Sequence, residues 1–165
     1  MTSAETSAVP DHDAVTVVRK SIIVPLSAGQ AFQLWTAGIH TWWPQGHSLS
    51  GDSATQVVLE QGIGGRFYER TTAGVEYEWG RVTEWEPPHH LAYQWYLGSS
   101  PTEPTHVDVR FVEIATQQTQ VNIEHRGPEL IGELWWLNNA RYRGAWAVVL
   151  PAYGVVASHF PGIDT

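Results

Sequence analysis

A chain of 165 residues fits one domain around one core. Its formal charge of −8, with Lys20 the single lysine and eight scattered arginines, offers no basic face to neutralise phosphates, which argues against nucleic acid and anionic membrane surfaces as partners. The absence of cysteine removes a disulfide framework, thiolate zinc sites and a cysteine nucleophile, and fits a cytoplasmic location.

Nine Trp, six Tyr and four Phe stand against a single Met. Rigid aromatic rings bury large areas and suit pocket walls as well as cores. Residues 1–14 carry Glu5, Asp11 and Asp13 and have neither a basic start nor an apolar run. They read as a disordered lead-in rather than a secretory signal. Residues 15–160 read as the single domain. The longest apolar stretch, around Ala145 to Leu150, is too short to cross a bilayer.

In chain order, the β-branched run Val15 to Val24 predicts a first strand, stopped by Pro25. Ser27-Ala28-Gly29-Gln30 has capping-box spacing, and Ala31, Leu34 and Trp35 follow at helical intervals up to Gly38. The segment from Ile39 to Asp52 reads as a loop with at most one helical turn. Strands are then expected over Thr55 to Glu60, Arg66 to Arg70, Val75 to Trp85, His90 to Leu97, Thr105 to Ile114 and Gln120 to Arg126. Pro87-Pro88 ends one of them, and Gly98 to Pro104 reads as a polar loop. The last third changes to a helical stripe of Leu134, Leu137, Tyr142, Trp146, Val149 and Leu150, with Asn138 or Asn139 as its cap. Pro151 should kink or split that helix. This order predicts an α+β domain in which a curved antiparallel sheet of six or seven strands wraps a long C-terminal helix, with a short helix after the first strand. Packing a straight helix into a curved sheet leaves a gap, the expected ligand site.

Four segments carry a resemblance. Trp42-Trp43-Pro44-Gln45-Gly46-His47-Ser48, Gly64-Gly65-Arg66-Phe67-Tyr68-Glu69-Arg70, Trp79-Gly80-Arg81-Val82-Thr83-Glu84-Trp85-Glu86-Pro87-Pro88 with Trp95, and Gly144-Ala145-Trp146 through Leu150 resemble, in this order, the motifs of a subgroup of START-like (SRPBCC) proteins. These are related to the domain of the activator of the Hsp90 ATPase. Ala145 between Gly144 and Trp146, and Pro151, depart from the family pattern. The resemblance implies the helix-grip fold. Families of this fold include lipid and hormone carriers, polyketide cyclases, oxygenase domains and the co-chaperone activator, so it does not fix function.

None of the eight histidines falls in HExxH or another closely spaced ligand pattern, and no metal or cofactor is expected. There is no GxSxG elbow, and Gly64-Gly65 precedes a strand and lacks a phosphate-loop Lys. Glu60, Glu69 and His47 remain candidates for acid–base work, with Arg66 as a polar anchor or carboxylate partner; the plain alternative is a rim ion pair that fixes strands. For ligand binding, Trp35, Trp42 and Trp43 come from the first helix and its loop. Phe67, Tyr77, Trp79 and Trp95 come from the sheet, and Tyr142 and Trp146 from the last helix. Three readings follow: a module binding a small hydrophobic or aromatic molecule, a cofactor-free cyclase-like enzyme, and a co-chaperone like the Hsp90 activator, for which no second, partner-engaging domain is visible. Trp135-Trp136 is a candidate contact patch for a homodimer.

Overall fold

The computed structural model describes residues 17–100, 102–127 and 132–160, with side chains at 98–100, 103 and 132–141 left aside. Strand β1 (Val17–Val24) is followed by helix α1 (Ala28–Trp35) and the single turn α2 (Ile39–Trp42). Strands β2 (Gln56–Leu59), β3 (Arg66–Arg70), β4 (Glu76–Glu86), β5 (His90–Ser100), β6 (Glu103–Ala115) and β7 (Gln118–Arg126) come next, and α3 (Gly132–His159) closes the chain. The strands form one antiparallel sheet in the order β1-β7-β6-β5-β4-β3-β2. The first and last strands of the chain are therefore neighbours, and the sheet curls around its helical layer: the expected helix-grip fold.

Local chemistry explains the helix entry. Ser27 accepts a hydrogen bond from the Gln30 N–H while the Gln30 side chain accepts from the Ser27 N–H, which satisfies two free donors at the start of α1. Ala28, Ala31, Phe32, Leu34 and Trp35 are all buried. Thr36 caps the far end, its hydroxyl donating to the Phe32 carbonyl at 2.8 Å. Gly38 does not end α1; it precedes α2.

Alternation sets the inner face of the sheet. Val107, Val109 and Phe111 on β6 and Val121, Ile123 and His125 on β7 are buried, while their neighbours face out. One register shift matters for the interior. Phe67 pairs with Gly80 and Tyr68 with Glu78, so Trp79 is the extra residue of a bulge, and it turns inward beside Gly80. A Cβ at Gly80 would land on the carbonyl oxygen of Gln94 across the β4–β5 ladder, so this position requires glycine.

Three further expectations are corrected. The segment from Gly98 to Pro104 is not a loop: β5 runs to Ser100 and β6 starts at Glu103. The final helix is already formed at Gly132, so neither Asn138 nor Asn139 caps it. Pro151 does not divide it. That residue is exposed, and buried contacts hold the helix on both sides, through Val149 and Leu150 before it and Tyr153 and Ala157 after it. The Tyr153 hydroxyl donates to the Ala31 carbonyl at 2.8 Å. Tertiary anchoring thus outweighs the hydrogen bond that proline removes.

Candidate functional site

Aromatic rings fill most of the interior in two connected groups. Trp35, Trp42, Phe32, Phe111 and Tyr153 pack edge-to-face or tilted between α1, α3 and the sheet. Phe67, Trp79, Tyr93 and Trp95 line the inner face of β3 to β5, and Phe67, Trp79 and Trp95 meet Trp43 at 5.5–5.9 Å. Between Trp43 and Trp95 on one side and Tyr142 and Trp146 on the other, a cavity of about 420 Å³ stays open. The loop after α2 contributes Gly46, His47, Ser48 and Leu49 to its lining, β5 adds Leu97, β7 adds His125, and α3 adds Ala145 and Val149.

The polar part of the wall is organised by His125, a residue that sequence reasoning passed over. It is buried on the inner face of β7. Trp146 Nε1 donates to its Nδ1 at 2.9 Å, so the ring proton sits on Nε2, which donates to Thr105 Oγ1 at 2.7 Å. Thr105 in turn donates to the Trp95 carbonyl at 2.9 Å. Every donor direction in this series is consistent with a neutral imidazole. Burial lowers the His125 pKa from 6.5 to about 3, with His106 adding a small repulsion. The alternation of Val121, Ile123 and His125 was the available signal: it places His125 on the buried face.

Glu69 organises the loop. It is fully buried on β3 and accepts from the Leu49 and Ser50 N–H groups at 2.7 and 3.1 Å, from the Ser50 and Thr55 hydroxyls at 2.6 and 2.9 Å, and from Trp79 Nε1 at 2.9 Å. Burial alone would raise its pKa, but the Ser50, Thr55, Leu49 and Trp79 donors hold it below the ordinary value. A carboxylate saturated by five donors is a poor proton carrier and a strong anchor. It fixes Leu49, and with it the loop that presents Trp43, His47 and Ser48 to the cavity.

His47 is the candidate acid–base residue that lines the cavity. Its backbone carbonyl accepts from Trp43 Nε1 at 2.8 Å, and its Nδ1 is buried with no hydrogen-bond partner among the described residues. Glu60 lies away from the cavity, in an ion pair with Arg66 at 3.0 Å that Glu76 and Arg70 extend along the sheet. Arg66 also covers the Tyr68 ring at 4.0 Å from its centroid.

Of the ten residues expected to bind ligand, the structure brings Trp43, Trp95, Tyr142 and Trp146 to the cavity. Trp35, Trp42, Phe67 and Trp79 are buried behind it as core, where Trp42 Nε1 donates to the Leu34 carbonyl at 2.8 Å. Tyr77 pairs with Glu69 but is 36% exposed near the start of β4, and Arg66 belongs to the ion-pair network, so neither lines the cavity.

Among the described residues, one group of potential metal ligands gathers where no sequence pattern announced it: Glu84, Glu86 and His90, with ligand atoms within 4.8 Å of one another. His90 Nε2 lies 2.7 Å from Asp108 Oδ1, and Nδ1 lies 3.2 Å from Glu86 and 3.5 Å from Glu84. The imidazole thus ties β4, β5 and β6 together through carboxylates, and none of these residues lines the cavity. Among the described residues, no helix is long and apolar enough to cross a membrane.

A curled seven-strand sheet gripping a C-terminal helix around an aromatic cavity defines a START-like protein. The profile of the family described as activator of Hsp90 ATPase homolog 1-like protein matches residues 25–134, and the chain belongs to that family. Its fold is a hydrophobic-ligand-binding one. Among solved structures, an anthrahydroquino-γ-pyrone synthase is 30% identical with a TM-score of 0.60, the alignment covering 86% of this chain and 97% of the synthase. An Hsp90 activator from Plasmodium falciparum is 16% identical (TM-score 0.61, 86% and 95% covered) and a protein from Nitrosomonas europaea 12% identical (0.65, 90% and 97%), likenesses that show the fold alone. Comparison with curated protein sequences gave no match.

Proposed function

We propose that this chain binds a small, planar, largely apolar aromatic molecule in the cavity between the sheet and α3. The observation that carries the reading is the convergence of Trp43, Trp95, Tyr142 and Trp146, from a loop, a strand and a helix, on one unfilled volume. Flat indole and phenol faces favour stacking on a flat ligand, and 420 Å³ lies within the range of pockets that hold compounds of a few rings. The test is a thermal-shift and native mass-spectrometry screen of aromatic metabolites and lipids. Retention of one aromatic molecule per chain, lost in Trp43→Ala or Trp146→Ala, supports it; saturable binding of lipids alone, or of nothing, overturns it.

A second reading has its own support: the cavity is the site of cofactor-free acid–base chemistry. His47 lines the cavity wall, and the similar synthase is named for an anthrahydroquino-γ-pyrone. In such a step His47 takes the proton of a substrate hydroxyl as that oxygen adds to a carbonyl carbon of the same molecule, and returns it to the new alkoxide. The product is an isomer of unchanged mass. Chromatography of hydroxylated polycyclic ketones incubated with wild type and His47→Gln tests it, and equal conversion by both removes His47 from the chemistry.

A further inference from the structure

We infer that His90, Glu86 and Glu84 form a site for a divalent first-row transition ion of the Zn²⁺ type on the outer face of the sheet. The site is separate from the cavity and independent of the reading above.

Topology brings the three together. His90 opens β5 directly opposite Glu86 on β4, and Glu84 lies two residues along the same strand, so it shares the face of Glu86. Both carboxylates are exposed, whereas the His90 side chain is only 6% exposed. The imidazole is oriented from behind: Nε2 lies 2.7 Å from Asp108 Oδ1, and a carboxylate only accepts, so this nitrogen carries the ring proton. Nδ1 is then a buried acceptor. Among the described residues it faces no donor but two more acceptors, Glu86 Oε1 at 3.2 Å and Glu84 Oε1 at 3.5 Å. Electron pairs turned toward one point in this way repel one another unless a cation stands between them. A carboxylate behind an imidazole, fixing its tautomer and raising its basicity, is the arrangement in which histidine ligates metals.

The spacing agrees. Two ligand atoms at about 2.05 Å from a zinc ion, set at the tetrahedral angle, stand about 3.3 Å apart. The two distances from Nδ1 bracket that edge. All three ligand atoms lie within 4.8 Å of one another, and exposed glutamate side chains can close the remainder. The carboxylates are not already neutralised by arginine: Arg110 stands opposite His90 on β6, and among the described residues the ion-pair partner of both glutamates is His90 itself. One imidazole with two carboxylates suits Zn²⁺ and its first-row neighbours better than Ca²⁺, which takes six to eight oxygens. Bound there, the ion joins β4 to β5 across the turn between Glu86 and His90, and water completes its shell on the open side.

The experiment is calorimetric titration of the chelator-treated full chain with Zn²⁺ at pH 7.5, with Ca²⁺ in parallel and Co²⁺ added for its visible absorption. The expected result is one saturable Zn²⁺ site per chain, weakened at least tenfold in Glu84→Gln and in Glu86→Gln, with Ca²⁺ at least tenfold weaker than Zn²⁺. Both substitutions fall on exposed side chains, so these variants keep the fold even if His90→Gln, which should abolish the site and its Co²⁺ absorption, does not. No saturable binding by wild type overturns the proposal and leaves a second proton on His90 as what holds the three groups together. Zn²⁺ binding undiminished in the two glutamate variants overturns it by placing the ion on other histidines. Ca²⁺ binding as tightly as Zn²⁺ overturns the role of the imidazole. Each of these results leaves the cavity reading as it stands, since that is tested with aromatic ligands and not with metal.

Discussion

Trp146 and Trp95 face the same cavity from opposite sides, one on α3 and one on β5, and a directed series of hydrogen bonds through His125 and Thr105 links the Trp146 side chain to the Trp95 backbone. The cavity wall is therefore braced by a polar series that is itself buried. Its weak point is protonation of His125.

That gives a pH dependence with a definite sign. The folded pKa of His125, about 3, lies below its ordinary 6.5 because burial disfavours the imidazolium. Between these values the unfolded chain binds a proton that the folded chain does not. The contribution is complete above about pH 6.5 and is lost as pH falls towards 3, with a slope of at most about 1.4 kcal/mol per pH unit. Urea midpoints measured from pH 7 to pH 4 should fall, and fall less steeply in His125→Gln. Parallel curves for the two proteins would contradict the assignment.

Glu69 makes a prediction of a different kind. Glu69→Gln keeps the shape but replaces one acceptor oxygen by a donor, which then opposes N–H or O–H groups. The cost is on the order of 2–4 kcal/mol, since several charge-assisted bonds are lost and buried donors are left unmet. Binding of an aromatic ligand in the cavity should weaken as well, because the loop bearing Trp43 and His47 loses its anchor. Wild-type stability and affinity in this variant would show that the loop holds itself.

Much of this architecture was legible in the sequence, for particular reasons. Ser27 and Gln30 announced a helix start through spacing alone, and β6 and β7 announced their buried faces through alternation. Trp79 was not assignable in the same way, because a bulge beside Gly80 breaks the parity that sequence counting relies on. Glu69 reads as an acid–base candidate or a rim ion-pair partner until the loop of Leu49, Ser50 and Thr55 is folded over it. The candidate site was legible only in part: rings could be named, but core and wall differ by distances that no local pattern encodes. Trp42 and Trp43 are adjacent, yet one is sealed under α1 and the other borders the cavity. The possible dimer patch at Trp135-Trp136 falls outside the described side chains.

Gly80 tests the bulge directly. In Gly80→Ala the new methyl meets the Gln94 carbonyl, a backbone atom that cannot move without disturbing the β4–β5 ladder. Overpacking of this kind costs roughly 1–3 kcal/mol. Thermal unfolding should show a clear loss, and Trp79 fluorescence should report a changed environment. A neutral result would mean that the bulge relaxes freely.

Trp146→Phe tests the bracing role of the indole N–H. The substitution keeps an aromatic ring at the cavity wall but deletes the donor to His125 Nδ1 together with part of the indole's bulk. A buried nitrogen left without a donor costs about 1–3 kcal/mol, and the smaller ring adds a loss of buried apolar area, so denaturant midpoints should drop. The loss of that donor also releases the constraint that fixes the His125 proton on Nε2. Imidazole nitrogen shifts in a labelled sample should therefore show a single Nε2–H form in wild type and a mixture of tautomers in the variant. Thr105→Val, which removes the acceptor at the other nitrogen, should keep the Nε2–H form, because Trp146 still donates to Nδ1. If Trp146→Phe retains the wild-type tautomer, the hydrogen bond from Trp146 does not set it, and the directed link between the two cavity walls is not what orders them.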